Sequence, residues 1–340
     1  MLHRRYICRT SFALIVLGAS GLALANTELR VMVHSSFSLP RPLLVQFELQ
    51  TGVKLVVIKG GDAGEMLNKL ILTKASPLAD VVFGIDNTLM AKAIGAGVLD
   101  ETLPAELQDA RLPGKALSAV DYGYVTINYD KATLATGSLA LPSSLHDLTQ
   151  AAYKGWLVTP NPATSSTGYA FLLATIAGMG EEKAFDWWAR MRANGLKVTK
   201  GWSEAYYTEF ARNKGKYPLV VSYATSPAAE VFYSKTPIAE PPTGSLHLPA
   251  GVFRQTEGIG LIKGGSRREA ALKFVGFMRS DAAQQALQTT MWMYPAKPAT
   301  ALAPVMKHAQ EPVSFEQLEP TQIAEKGAQW VARWTQVVLK

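Results

Sequence analysis

Short apolar runs alternate with segments of helical periodicity along the first hundred residues. Three runs rich in Val, Leu and Ile predict strands, at residues 29–33, 53–58 and 79–84. Three further segments carry apolar residues at helical spacing, at residues 42–50, 65–73 and 89–97. Strands and helices that alternate in such short units predict an α/β fold, with a mostly parallel sheet covered by helices on both faces.

The pattern changes at residues 122–129, an uninterrupted strand-like segment that leads into a second α/β region. That region contains predicted strands at 156–158 and 219–223, predicted helices at 168–178 and 181–193, and a Pro-rich loop at 236–249. A strand at 258–263 then returns to the first region, followed by helices at 267–278 and 321–339. A chain that leaves one lobe, builds a second and returns predicts a hinged, two-lobed molecule.

This organisation gives specific boundaries. We expect a first lobe made of residues 26–122 plus about 252–300, and a second lobe made of residues 123–251. Residues 301–340 form a C-terminal helical segment that we expect to pack across the lobes.

The first 25 residues read as a secretory signal, because Arg4, Arg5 and Arg9 precede an apolar run that ends in small residues, with cleavage near Ala25. The run is shorter than the ~20 residues of a membrane-spanning helix. Three of the 34 basic residues and none of the 27 acidic ones fall in this segment, which leaves 31 against 27, a net charge of +4. This mild charge does not indicate nucleic acid or a membrane surface as a partner. Cys8 is the only cysteine, so the exported chain would rely on its core rather than on disulfides.

Polar loops follow the three first strands, at the sheet edge where α/β proteins bind ligands. The candidate residues in these loops are His34 and Ser36, Asp62, and Asp86. Asp62 and Asp86 each precede a helix, so capping of free amide groups alone explains each of them equally well. Together on one edge, they favour a cleft that accepts a cation or hydrogen-bond donors.

Two further features belong to the second region. Ser165 and Ser166 lie in a run of four hydroxyl residues that leads into a helix, an arrangement suited to an anion such as phosphate or carboxylate. Trp202 lies in the polar segment TKGWSEAY, Tyr223 ends a predicted strand, and Trp292 lies in the segment MWMYP at 291–295. A cation over an indole face gains ~0.5–2 kcal/mol, so these rings beside carboxylates suit a flat, cationic ligand.

Several of these segments carry a family resemblance. They are ADVVFGIDN at 79–87, DYGY at 121–124, VTKGWSEAY at 198–206, SYATSP at 222–227 and WMYP at 292–295. The chain resembles the thiamine-binding periplasmic proteins of ABC importers, within the extracellular solute-binding superfamily. The KGWSEAY segment is the most specific of the matching pieces.

The resemblance implies a type II periplasmic-binding-protein fold that closes on thiamine or its phosphates. It places Asp62 against the cationic ligand, Ser165 and Ser166 against a phosphate or hydroxyl, and Trp202, Tyr223 and Trp292 as aromatic walls. His34, Arg41 and Ala229 depart from the family, because aromatic residues are expected at these positions. The implied partners are an ABC permease with its ATPase, and the implied state is a periplasmic monomer without a resident cofactor.

Two other function classes are open from the residues alone. Tyr206 and Tyr207 resemble the paired tyrosines of ferric-ion-binding proteins, with His34 as a further ligand, although neighbouring residues on a regular helix point about 100° apart. The second class is an exported enzyme. No Gly-x-Ser-x-Gly or His-Glu-x-x-His motif occurs, so we assign no catalytic residue and no metal ligand.

Overall fold

The computed structural model describes residues 27–136 and 140–340, and the predicted signal segment at 1–25 lies outside these residues. Within this part of the chain, no helix is long and apolar enough to cross a membrane.

The described residues contain ten strands. They are β1 Thr27–Val33, β2 Val53–Lys59, β3 Val81–Asp86, β4 Ser118–Asp130, β5 Leu157–Pro160, β6 Lys197–Thr199, β7 Leu219–Tyr223, β8 Thr243–Leu246, β9 Phe253–Leu261 and β10 Tyr294–Pro295. They form one sheet in the order β2-β1-β3-β9-β4-β7-β5-β6, and β8 and β10 also pair with β4.

Eleven α-helical segments accompany the strands in the same residues. They are α1 Arg41–Thr51, α2 Ala63–Leu72, α3 Met90–Gly95, α4 Lys131–Ala135, α5 Ser166–Met179, α6 Glu181–Ala193, α7 Trp202–Glu204, α8 Ser226–Phe232, α9 Arg268–Met278, α10 Asp281–Thr290 and α11 Pro320–Leu339. A π-helical turn, Ala205–Glu209, continues directly from α7.

The predicted α/β class is confirmed, but the expectation of a mostly parallel sheet is wrong. Strands β1–β3 pair in parallel at one end of the sheet and β5–β7 at the other. Between them, β9 runs antiparallel to both β3 and β4, and β4 runs antiparallel to β7. The sheet is therefore mixed, because the strand that returns to the first region enters it from the opposite direction.

Other local differences have identifiable causes. The Pro-rich segment predicted as a loop contains β8, which pairs with the second half of β4. Helix α10 was not predicted. Its N-cap is Ser280, whose hydroxyl accepts from the Ala283 N–H at 3.3 Å.

Aromatic and aliphatic side chains fill the core on both sides of the sheet. One cluster packs α1, α9 and α10 against β1 and β3. In another, the indole rings of Trp188 on α6 and Trp334 on α11 lie 5.5 Å apart and are both fully buried. Burial of an aromatic side chain of this size contributes ~1.5–3 kcal/mol, so the C-terminal helix is firmly attached to α6.

Strand β4 positions the two ends of the sheet relative to each other. Its first half pairs with β9 and β10, and its second half pairs with β7 and β8. The loops that follow β1 and β2 and the loops that follow β5 and β6 therefore face one another across the middle of the sheet.

Candidate functional site

A cavity of about 620 Å³ lies among these facing loops. Its walls come from the loop after β1, the start of α2, the start of α5, the segment from α7 to the π-helical turn, the end of β7 with α8, and the loop after α10. Small-molecule sites commonly measure ~300–1,000 Å³, so the cavity is large enough for a ligand of several rings.

The structure brings most of the predicted site residues to this cavity. Those that line it are His34, Ser36, Asp62, Ser166, Trp202, Tyr223 and Trp292. Asp86 and Ser165 are not among the lining residues. Arg41 is exposed at the start of α1 and is also absent from the walls.

Buried carboxyl groups form the acidic end of the cavity. Glu257 on β9 lies opposite Asp121 on β4, and its Oε1 is 3.5 Å from Nε2 of His34. Burial acts to lower the pKa of His34, but the charge and hydrogen bond of Glu257 together with the charge of Asp62 raise this pKa above its ordinary value. Burial and the Glu257 charge together raise the pKa of Asp121 well above its ordinary value, so Asp121 favours its neutral form.

Asp86 does not line the cavity, and its carboxyl group is bonded within the turn after β3; its predicted contact with a ligand stays a prediction. Its Oδ1 accepts from the Thr88 N–H at 2.9 Å, the Thr88 hydroxyl at 2.6 Å and the Leu89 N–H at 2.9 Å. The Gln255 amide donates to its other oxygen. Burial raises the pKa of Asp86 to about 6. Both carboxyl oxygens of Asp86 therefore accept hydrogen bonds from the chain itself, mainly from the turn after β3.

Asp62 belongs to the cavity wall and contacts the facing loops directly. Its Oδ1 accepts from the Ala63 N–H at 2.7 Å, which caps α2, and from the Ser166 N–H at 3.3 Å. Its Oδ2 accepts from the Trp202 N–H at 2.9 Å. Burial raises the pKa of Asp62 despite these hydrogen bonds. A carboxylate of the chain itself therefore lies at the start of α5.

Ser165 does not line the cavity either, and its role as a ligand contact stays a prediction. Its side chain is buried, and its hydroxyl accepts from the Gly168 N–H at 3.5 Å as the cap of α5. Ser166, one residue later, does line the cavity. The hydroxyl-rich segment thus serves largely to begin the helix.

Trp202 and Tyr223 form one aromatic wall. The indole of Trp202 stacks on Tyr206 with ring centroids 5.3 Å apart, and its Nε1–H donates to the Ser222 hydroxyl at 2.8 Å. The Tyr223 hydroxyl donates to Gln255 Oε1 at 2.8 Å and lies 3.1 Å from the Thr167 hydroxyl. These bonds fix both rings, so the wall is organised before any ligand binds.

Trp292 forms the other wall from a strained backbone position. Its φ is 60°, in the left-handed region that disfavours bulky side chains. The ring meets Phe232 and Tyr233 at centroid distances of 5.3 and 5.5 Å. Ala229 also lines the cavity and contributes no ring, whereas Tyr233 and Trp292 contribute aromatic rings to the lining.

The residues alone did not indicate Glu257 or the pair Arg212–Glu230 as part of the cavity. Glu257 falls one residue before the predicted strand 258–263, although a carboxylate inside an apolar strand is itself a signal. Glu230 accepts from the Tyr206 hydroxyl at 2.8 Å and from Arg212 Nε at 3.0 Å. Nothing in the sequence pattern brings those three side chains together.

The chain is similar to known proteins in both sequence and fold. A family model described as bacterial extracellular solute-binding protein matches residues 76–318. A thiamine-binding periplasmic protein of Salmonella typhimurium is 30% identical over 324 residues, 93% of this chain and 95% of that protein. A solved periplasmic thiamin binding protein superposes with a TM-score of 0.81 at 28% identity, covering 92% of this chain and 96% of the other. A ferric binding protein from Campylobacter jejuni, 21% identical with a TM-score of 0.71 over 91% of this chain and 99% of that one, shares the fold.

Proposed function

Because the chain belongs to the bacterial extracellular solute-binding protein family, we propose that it binds thiamine, or a phosphate of thiamine, in the cavity between its two lobes. The observation that carries this proposal is the pairing of fixed aromatic walls with an acidic end in one cavity. Trp202, Tyr223 and Trp292 supply the walls, and Asp62 and Glu257 supply the negative charge. Relatives that cover nearly the whole chain are named as thiamine-binding proteins, which supports the same ligand.

The proposed mode of binding follows from the charges. Thiamine has a permanently cationic thiazolium ring and a flat aminopyrimidine ring. A cation over an aromatic face gains ~0.5–2 kcal/mol when it is shielded from water. The acidic end adds a favourable field for a cation, because two carboxyl groups, those of Glu257 and Asp62, line the cavity beside the imidazole of His34. A cationic, planar molecule thus satisfies both components.

We further propose that the protein is exported, acts in the periplasm as a monomer, and delivers its ligand to an ABC permease with its ATPase. The lobes would comprise residues 26–122 plus about 252–300 and residues 123–251, with residues 301–340 packed across them. Ligand that contacts both lobes favours the closed state by its differential affinity for that state. We expect binding without turnover.

Calorimetry of two variants tests the site. Trp202→Ala removes one wall, and Asp62→Ala removes a carboxylate of the acidic end. Each should weaken thiamine binding by about tenfold, since ~1.4 kcal/mol corresponds to that factor. Arg41→Ala, on the exposed start of α1, is the matched control and should bind as the parent does. If both site variants bind thiamine as tightly as the parent, the cavity is not the thiamine site.

Ferric ion is a second candidate, favoured by one observation. Tyr206 and Tyr207 lie on the π-helical turn rather than on a regular helix, and both line the cavity with His34. Against iron, the Tyr206 hydroxyl is bonded to Glu230, and burial raises its pKa well above the ordinary value, which disfavours the tyrosinate that iron requires. In the residues that the structure describes, no group of three His, Cys, Asp or Glu side chains is placed to hold a metal.

Ferric addition to the purified protein separates the two candidates. Iron bound by tyrosinate would produce a visible absorption band, and Tyr207→Phe would abolish it. We expect no such band, and thiamine binding that is unchanged by a strong iron chelator.

A further inference from the structure

A buried group of ionisable side chains lies at the acidic end of the cavity, where β4 and β9 pair. Glu257 on β9 and Asp121 on β4 are direct partners in the strand register, and both are buried. The imidazole of His34, in the loop after β1, has its Nε2 3.5 Å from Oε1 of Glu257. The His34 side chain is 12% exposed and that of Glu257 only 6%. A carboxylate with so little access to water needs a positive charge close to it.

Other ionisable groups face this pair from the elements packed around it. They are Asp62 at the start of α2, Lys59 on β2, Asp86 at the end of β3, Asp121 on β4 and Tyr223 on β7. Burial raises the pKa of Asp121 and of Tyr223 well above their ordinary values, which favours the neutral form of each. Lys59 directs its ammonium group to the Ser35 carbonyl at 3.0 Å. Protonated His34 is therefore the positive charge that balances Glu257 directly.

We infer that the proton on His34 makes this side chain the counter-ion of Glu257 in the ligand-free protein, and that a cationic ligand displaces this proton. The inference rests on the proposed function, because thiamine brings the permanent positive charge. His34 and Glu257 both line the cavity, so a bound cation and a protonated imidazole would be like charges in one poorly hydrated space. When the ligand binds, the proton leaves the imidazole for solvent, and Glu257 becomes the counter-ion of the ligand.

The direction of the resulting pH dependence follows from the two states of His34. In the ligand-free protein, Glu257 and Asp62 raise the pKa of His34 above its ordinary value of 6.5, against the effect of burial. A bound cation lowers that pKa, so the proton and the ligand compete. Thiamine binding should therefore strengthen as the pH rises, by up to about tenfold per pH unit between the pKa of the bound form and the pKa of the free form.

Calorimetry of thiamine binding in Tris and in HEPES, two buffers with different ionisation enthalpies, counts the protons released. We expect the parent to release up to about one proton per thiamine near pH 7. His34→Gln keeps a hydrogen-bond donor near the position of Nε2 but does not titrate, and it should release none. The Kd of the parent divided by the Kd of His34→Gln should fall by about tenfold from pH 6 to pH 8. His146→Gln, at an exposed position outside the cavity, is the matched control and should equal the parent at each pH.

Nuclear magnetic resonance of the imidazole groups measures the same proton directly. The His34 signal is identified by its absence from His34→Gln. In the ligand-free parent it should titrate with a midpoint above pH 6.5, and saturating thiamine should move this midpoint to lower pH. Glu257→Gln removes the balancing charge, so the His34 midpoint of that variant without ligand should also lie below the midpoint of the parent.

Thiamine binding without proton release overturns the inference and leaves the proposed function standing. Equal proton release by the parent and His34→Gln also overturns it, because another group, such as Asp62 or Asp86, then supplies the proton. No thiamine binding at any pH removes the proposed function and the inference together. If His34→Gln does not fold, as judged by circular dichroism, His34→Phe serves instead, since it keeps a ring beside Phe83, whose centroid lies 5.6 Å from that of the imidazole. The same loss of proton release is then required.

Discussion

The backbone at Trp292 provides a test in which stability and ligand binding change independently. Its N–H donates to the Leu287 carbonyl at 3.1 Å and ends α10 with a left-handed residue, a position that glycine usually takes. A residue with a Cβ pays about 1–2 kcal/mol for this conformation. Comparing Trp292→Gly with Trp292→Ala isolates this cost, because both variants lose the indole and they differ by Cβ alone.

Glycine relieves the backbone strain, but its greater conformational entropy stabilises the unfolded chain by about 0.5–1 kcal/mol. We therefore expect Trp292→Gly to be more stable than Trp292→Ala by about 0.5–1 kcal/mol. Urea unfolding followed by circular dichroism measures this difference. Gln285, exposed in the same helix, is the matched control position. There the order should reverse, with Ala more stable than Gly by about 1 kcal/mol.

Ligand binding should respond to the lost ring and not to the backbone. Both Trp292 variants should bind thiamine about two- to thirtyfold more weakly than the parent, the range that a cation–π contact spans. They should match each other. If Ala at position 292 is as stable as Gly, the left-handed strain is refuted. If both variants bind as tightly as the parent, Trp292 is not a ligand wall and its strain has no explanation in this site.

Two further predictions concern stability. Burial raises the pKa of Asp86 from 3.8 to about 6, so the folded state holds this proton more tightly than the unfolded state. This contribution to stability is complete below pH about 4 and is lost as the pH rises through about 6. Between these two pH values, the unfolding free energy of the parent should fall by up to ~3 kcal/mol relative to that of Asp86→Asn. Urea unfolding of both proteins at the two pH values measures this difference, and equal changes in the two proteins would contradict the reasoning. Gly168→Ala should lower the unfolding free energy by about 1–3 kcal/mol, because its Cβ would overlap the Pro160 carbonyl oxygen. Gly276→Ala, whose new Cβ would meet open space in α9, should instead raise the unfolding free energy by about 1 kcal/mol. A similar change in the urea midpoint of both variants would contradict the packing argument.

The elements of the fold that could be predicted are those whose pattern is local. Residues 53–58 and 181–193 carry the strand and helix periods within their own lengths, and the structure places elements there. The pairing of β9 between β3 and β4 depends on contacts between residues more than a hundred positions apart. No local period encodes that pairing, which is why the sheet was expected to be mostly parallel.

The candidate site shows the same division. Trp202 could be predicted because tryptophan in a polar segment is unusual, and it lines the cavity. Asp62 and Asp86 looked alike in sequence, since each precedes a helix. Only three-dimensional contacts separate them: Asp86 is enclosed by its own turn, whereas Asp62 reaches the facing loops. Glu257 is recognisable only from its contacts with His34, in the loop after β1, and with Asp121 on β4.

Titration of ligand-stripped parent protein with thiamine, followed by tryptophan fluorescence and by calorimetry, tests the central claim most directly. We predict saturable binding of one thiamine per chain with quenching of tryptophan emission, because the cationic ring would lie against Trp202 and Trp292. Folded protein that gives neither heat nor quenching with thiamine or either of its phosphates would contradict the account.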